Sequence, residues 1–134
     1  MNTTTTRSRW ARVGALALVT TATLLPAATA HANDGDVIKR GSCSGTANWK
    51  LKASPENGRI EVEGEVDSNR VGQTWNWRIL HNGSVSAKGS KTTVAPSGSF
   101  TVRRVLVNIK GRDSIAFRAK NPKSGEICRS ALTF

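Results

Sequence analysis

From residue 44 onward, apolar and polar residues alternate with a period of two, and that period restricts the chain to β-strands. Trp49, Leu51 and Ala53 alternate with Lys50 and Lys52; Ile60, Val62, Gly64 and Val66 alternate with Glu61, Glu63 and Glu65. Trp75, Trp77 and Ile79 then interleave with Asn76 and Arg78, and Ile115, Phe117 and Ala119 with Ala116 and Arg118. Successive side chains on a strand point to opposite faces, so each segment reads as half-buried. No long amphipathic helical window occurs after residue 32.

Turn residues punctuate the strands. Ser54-Pro55-Glu56-Asn57-Gly58 separates the first two, Asn82-Gly83 is a strong hairpin signal, and Pro96-Ser97-Gly98, Lys110-Gly111-Arg112-Asp113 and Asn121-Pro122-Lys123-Ser124-Gly125 mark further reversals. In the first hairpin, pairing Leu51 with Val62 and Ala53 with Ile60 collects apolar residues on one face. The same register sets Lys52 against Glu61 and Lys50 against Glu63 on the other, the complementarity a solvated face needs. Phe100 and Val102 share one phase while Val105, Val107 and Ile109 occupy the opposite one, which predicts a bulge or a change of sheet near Arg103-Arg104. About seven short strands in roughly 100 residues predict an all-β, two-sheet antiparallel sandwich.

Ahead of these strands, residues 1–32 read as a cleaved, Sec-type secretory signal peptide. Arg7, Arg9 and Arg12 form a positive n-region, Val13–Ala28 is uncharged and mostly apolar, and Ala28-Thr29-Ala30 and Ala30-His31-Ala32 are overlapping A-x-A patterns. Cleavage after Ala32 is favoured over Ala30 because the polar Asn33-Asp34-Gly35-Asp36 follows. The apolar run is short for a spanning helix, and no lipoprotein cysteine or C-terminal anchor is seen, so the expectation is a secreted, untethered protein. Residues 33–42 are expected as a flexible N-terminal segment and 43–134 as the sandwich domain. Cys43 and Cys128 are the two cysteines of the chain, and in an exported domain they most simply form one disulfide.

The run Trp75-x-Trp77-x-Ile79-x-x-Asn82-Gly83, then Ser97-Gly98-Ser99-Phe100, then Gly111-x-Asp113-x-Ile115-x-Phe117-x-Ala119 resembles the middle-to-end portion of immunoglobulin-like sandwiches. With Ser42-Cys43-Ser44 early and Ser124-Gly125-Glu126-x-Cys128 late, the chain is similar to small secreted proteins of uncharacterised function from high-GC Gram-positive bacteria. The resemblance covers nearly all of the chain after the leader and implies fold and export, but no activity. Its disulfide joins the start of the domain to its last strand, unlike the mid-sandwich bridge of antibody domains.

Catalytic signatures are missing. His81, the one histidine after the leader, stands beside a hairpin turn and reads as a solvated turn residue; no G-x-S-x-G elbow surrounds any serine, and P-loop, Rossmann and metalloprotease patterns are absent. No catalysis, metal or cofactor is expected. Trp49, Trp75 and Trp77 read as core residues.

Charge is the more informative feature. Residues 33–134 carry 17 Lys+Arg and 9 Asp+Glu, a net of +8, and the excess is one-sided: residues 33–69 net −2 and residues 70–134 net +10. In a sandwich, Arg78, Arg118 and Arg129 fall on three strands that share one sheet and face outward together, with Lys110, Arg112, Lys120 and Lys123 in or near its end loops. Such a face attracts anionic polymers through counterion release: teichoic acid, extracellular DNA, acidic polysaccharide or an acidic protein. The function expected is therefore non-catalytic extracellular binding at the cell envelope. The alternative from another class is a protease inhibitor, with residues 91–99 as an exposed, extended loop.

Overall fold

The computed structural model describes residues 35–134; the expected leader, residues 1–32, lies outside them. Eight strands follow one another: β1 (Val37–Ser42), β2 (Asn48–Glu56), β3 (Arg59–Asp67), β4 (Thr74–His81), β5 (Ser84–Thr92), β6 (Ser99–Val107), β7 (Ser114–Lys120) and β8 (Ile127–Thr133). They form two antiparallel sheets in the orders β1-β2-β3-β6 and β5-β4-β7-β8. The chain changes sheet after β3, β5 and β6. The all-β, two-sheet sandwich expected from the period of two is the fold observed.

The eighth strand is a correction. Val37–Ser42 was expected inside a flexible segment, but all six residues pair with β2, from Val37 opposite Ala53 to Ser42 opposite Asn48. This strand is hard to see in sequence because it contributes little to the core: Val37 is half-buried, and Gly41 serves as a bare surface for the Trp49 ring. The indole Nε1–H of Trp49 donates to the Ser42 carbonyl (3.1 Å), fastening the ring over β1.

The first hairpin is also corrected, by two residues. Leu51 lies opposite Gly64, Ala53 opposite Val62, Lys52 opposite Glu63 and Lys50 opposite Glu65. The reason is the turn. Asn57 and Gly58 both take positive φ (48° and 75°), so they close a two-residue hairpin of the type whose twist suits the flanking strands. Ser54, Pro55 and Glu56 are thereby drawn into β2 rather than into a five-residue loop. A two-residue slip preserves the facing of every side chain, so the charge complementarity survives with new partners. Lys50 reaches Glu63 (2.9 Å) and Glu65 (2.7 Å), Lys52 reaches Asp36 (2.8 Å), and Arg103 reaches Glu63 (3.0 Å). Burial acts to raise the Glu63 pKa, but the hydrogen bonds from Lys50 and Arg103 hold its carboxyl below the usual value.

No bulge interrupts β6. Its pairing with β3 is regular from Ser99–Asp67 to Val107–Arg59, with Phe100, Val102 and Leu106 buried in one phase and Val105 and Val107 exposed in the other. The inward position between Val102 and Leu106 belongs to Arg104. Because β6 is the last strand of its sheet, Arg104 can leave the interior sideways, and its guanidinium lies 5.1 Å from the centre of the Trp77 ring. An aliphatic stem that snorkels outward, ending in a cation–π contact, makes an arginine compatible with a core phase. A register shift does occur in the other sheet, between Ile79 and Leu80 where β4 meets β5.

The core lies between the sheets. Leu51, Ile60, Val62 and Val66 from the first meet Trp75, Ile79, Ile115 and Phe117 from the second, all fully buried; Trp77 is also buried, and Trp49 packs partly buried at the margin. Gly64 supplies the recess for Phe117: a Cβ there would stand 2.5 Å from the ring's Cδ2. Gly64→Ala is therefore expected to destabilise the domain by about 1–3 kcal/mol through overpacking, read as a lower urea midpoint. An unchanged midpoint would show that the ring can withdraw at no cost.

One open side of the sandwich is closed covalently. Cys43, just after β1, is bonded to Cys128 on β8, so the bridge joins the two sheets where β1 meets β8. Around it Ser44 N–H donates to Ile127 O (2.8 Å), Ile127 N–H to Ser44 Oγ (2.9 Å) and Ala47 N–H to Glu126 Oε1 (2.7 Å).

Candidate polyanion-binding face

The outer face of the second sheet is built by the same alternation that builds the core. Trp75, Trp77, Ile79, Phe117, Ala119 and Cys128 turn inward, so the residues between them turn out. Lys88 is directly opposite Arg78, Arg78 opposite Arg118, and Arg118 opposite Arg129. Four cations from four neighbouring strands thus form one row perpendicular to the strands, and all four are exposed. The next row toward the start of β4 is Ser90, Asn76, Lys120 and Ile127; the next row the other way is Val85, Leu80, Ala116 and Ala131. The cationic row and Lys120 line an open depression of about 720 Å³.

The two sheets treat charge differently. The strands of the first carry seven basic and five acidic residues, those of the second six basic and none acidic. On the first, Lys50, Lys52 and Arg103 all hold carboxylates. On the second, among the described residues, no carboxylate lies within ion-pair distance of Lys88, Arg78, Arg118, Lys120 or Arg129. Like charges directly opposite each other destabilise a sheet by roughly 0.2–1 kcal/mol per pair, and this row contains three such pairs in succession.

Of the seven basic residues singled out from the sequence, the structure brings together Arg78, Arg118, Arg129 and Lys120. Lys110 and Arg112 sit in the β6–β7 loop, at the end of the sheet where β4 finishes, and Lys123 sits in the β7–β8 loop at the opposite end. Lys88 completes the row and was missed. Its strand, Ser84–Thr92, is exposed on nearly every residue and so carries no burial period to set its phase; the Asn82-Gly83 turn alone signalled that it would pair with β4.

His81 is corrected too. Its side chain is only 10% exposed and its Nε2–H donates to Asp113 Oδ1 (2.5 Å), a carboxylate 1% exposed. Asn82 Nδ2 also donates to that oxygen (3.2 Å), the Ile109 N–H donates to Oδ2 (3.3 Å), and Asn82 Oδ1 accepts from the Ser114 N–H (2.8 Å). Asp113 further exchanges both backbone hydrogen bonds with Phe134. Burial acts to raise the Asp113 pKa, but the bonds from His81, Asn82 and Ile109 hold it below the usual carboxylate value. The cluster ties the β4–β5 turn, the β6–β7 loop and the final residue together. Among the described residues, the hydrogen-bond partner of the His81 ring is Asp113, with the Asn82 amide donating beside it to the same oxygen.

In the 91–99 segment, residues 94–97 are exposed but turn back on themselves instead of running extended. Lys91 and Thr92 belong to β5, and Thr93 is 1% exposed and bonded to Gln73 and Arg70. Val94 and Ser99 form a bridge, within which Gly98 N–H donates to Val94 O (2.9 Å). The segment is a closed turn held against the 68–73 loop.

Among the described residues no group of three or more His, Cys, Asp or Glu side chains is placed to hold a metal ion. In comparisons with known proteins, no family model, no curated protein and no solved structure matches the chain.

Proposed function

We propose that this is a non-catalytic extracellular binding domain that holds anionic polymers against the outer face of the β5-β4-β7-β8 sheet. The observation that carries the reading is the row Lys88–Arg78–Arg118–Arg129. A sandwich that gives Lys50, Lys52 and Arg103 carboxylate partners on one sheet and lines up like charges on the other forgoes stability where the anion is to bind. A polyanion supplies the missing partners and releases its own counterions as it does so. Work outside the cell agrees with the Cys43–Cys128 bridge, which suits an oxidising compartment, with the leader-like first 32 residues, and with the likeness to small secreted immunoglobulin-like proteins. Teichoic acid, extracellular DNA, acidic polysaccharide and acidic proteins are the ligand types such a face can attract.

The test is chromatography on an immobilised polyanion with a salt gradient. The protein is expected to elute well above physiological salt, and the triple variant Arg78→Gln, Arg118→Gln, Arg129→Gln below it, with thermal stability unchanged or higher because like-charge pairs have been removed. Elution of both at the same low salt would dismiss the reading.

A further inference from the structure

We infer that the ligand of this face is a single, flexible phosphate polymer without aromatic groups, lying across the strands along the four-cation row; this rests on the polyanion reading above. Three features of the face select that ligand from other polyanions.

The first is dimensional. Neighbouring strands are about 4.8 Å apart, so four cations in register span about 14 Å in a line one residue wide. A line of that density matches one linear chain charged on every backbone unit. A polysaccharide with a carboxylate on every second sugar would leave part of the row unanswered.

The second is chemical. Arg78, Arg118 and Arg129 make up three of the four positions, and the guanidinium fork pairs bidentately with phosphate oxygens where a lysine offers only a point charge.

The third is what the face does not offer. Trp75, Trp77 and Phe117 are buried, and the outward rows on either side of the cations hold Ser, Asn, Lys, Ile, Val, Leu and Ala. Single-stranded nucleic acids are held largely by stacking bases on exposed aromatic rings, and this sheet presents none. Its neighbouring rows suit a chain whose links are small: Asn76 and Ser90 offer polar groups on one side, and Leu80, Ala116 and Val85 offer a low apolar wall on the other.

The probe is inorganic polyphosphate in fractions of graded length, titrated into the purified protein at several salt concentrations. Heparin and oligothymidylate of matched charge serve as comparisons. Affinity is expected to climb with chain length until the chain spans the row and then to level off per bound protein. The slope of log K against log salt should be near −3 for four neutralised charges on a single chain, and Arg118→Gln should make it shallower by about 0.7. Lys110→Gln with Arg112→Gln removes two charges from the far end of the sheet and should leave the slope as it is. An equal loss of slope in that double variant would overturn the row in favour of diffuse charge. Tighter binding of heparin would overturn the phosphate assignment for a sulfated polysaccharide, and tighter binding of oligothymidylate would overturn it for stacked bases. Failure of all three polymers to bind would instead sink the polyanion reading itself.

Discussion

Replacing both bridge cysteines, Cys43→Ala with Cys128→Ala, is expected to cost the domain more stability than Gly64→Ala or Asp113→Ala. The residues are 85 apart in sequence, and a cross-link closing a loop of that size restricts the unfolded chain by about 4–5 kcal/mol on the entropic model. For a domain near 100 residues this corresponds to a fall of roughly 20–35 °C in Tm. The same result is expected on adding a reductant strong enough to open the bond. The bridge closes the side where β1 of one sheet meets β8 of the other, so hydrogen exchange should show β1 and the Ser44–Ala47 turn opening first in the variant. A fall of only a few degrees would mean that the bonds from Ser44 and Ala47 to Ile127 and Glu126 hold this side shut on their own.

Asp113→Ala is expected to cost on the order of 3 kcal/mol, because it strips a buried histidine of its partner and leaves the Ile109 N–H without its acceptor. It should also change the response to acid. The Asp113 and Glu63 carboxyls are held below their usual values in the folded protein. A group with a depressed folded pKa contributes stability above its unfolded value, about 4, and loses it as pH falls through the folded value. The parent domain should therefore be acid-labile below about pH 4, and Asp113→Ala should flatten that part of the profile while lowering the plateau at neutral pH. A variant with an unaltered acid limb would assign acid sensitivity to Glu63 and the ion pairs of the first sheet. Polyanion binding measured at neutral pH should survive the substitution, since the cluster lies at the end of the sheet away from Lys120.

Much of this architecture was legible from the period of two, and the places where it was misread have specific causes. The phase that buried Trp75, Trp77 and Ile79 continues one step to His81, and the phase of Ile115 and Phe117 runs back one step to Asp113. Extending both alternations would have placed the two side chains together at the core margin; attention to the adjacent Asn82-Gly83 turn suggested a solvated histidine instead. At Arg104 the opposite occurred. The switch of apolar phase from Phe100 and Val102 to Val105 and Val107 implied a bulge, but an edge strand lets the Arg104 side chain escape sideways while Val105 and Val107 stay exposed, and edge position is a property of topology that local pattern does not contain. The hairpin slip came from giving Pro55 to the loop, although the Asn57-Gly58 pair alone satisfies the turn. In the candidate site, Arg78, Arg118 and Arg129 could be phased because each sits between buried neighbours. Lys88 could not, because β5 buries almost nothing. Lys110, Arg112 and Lys123 read as end-loop residues, and they lie in the loops at the two ends of the sheet, outside the four-cation row.

On the polyanion reading, gathering four cations into one row on one sheet would also set the valence of the molecule. A particle with adhesive charge on two faces joins one polymer chain to another and draws them into a gel. The four-cation row stands on one sheet only, while on the other Lys50 and Arg103 are paired with glutamates and Lys52 with Asp36. Seated on a polymer, each copy turns that near-neutral surface to the medium. On the proposed polyanion reading, successive copies along a chain would form a sleeve that masks its charge and keeps neighbouring chains apart.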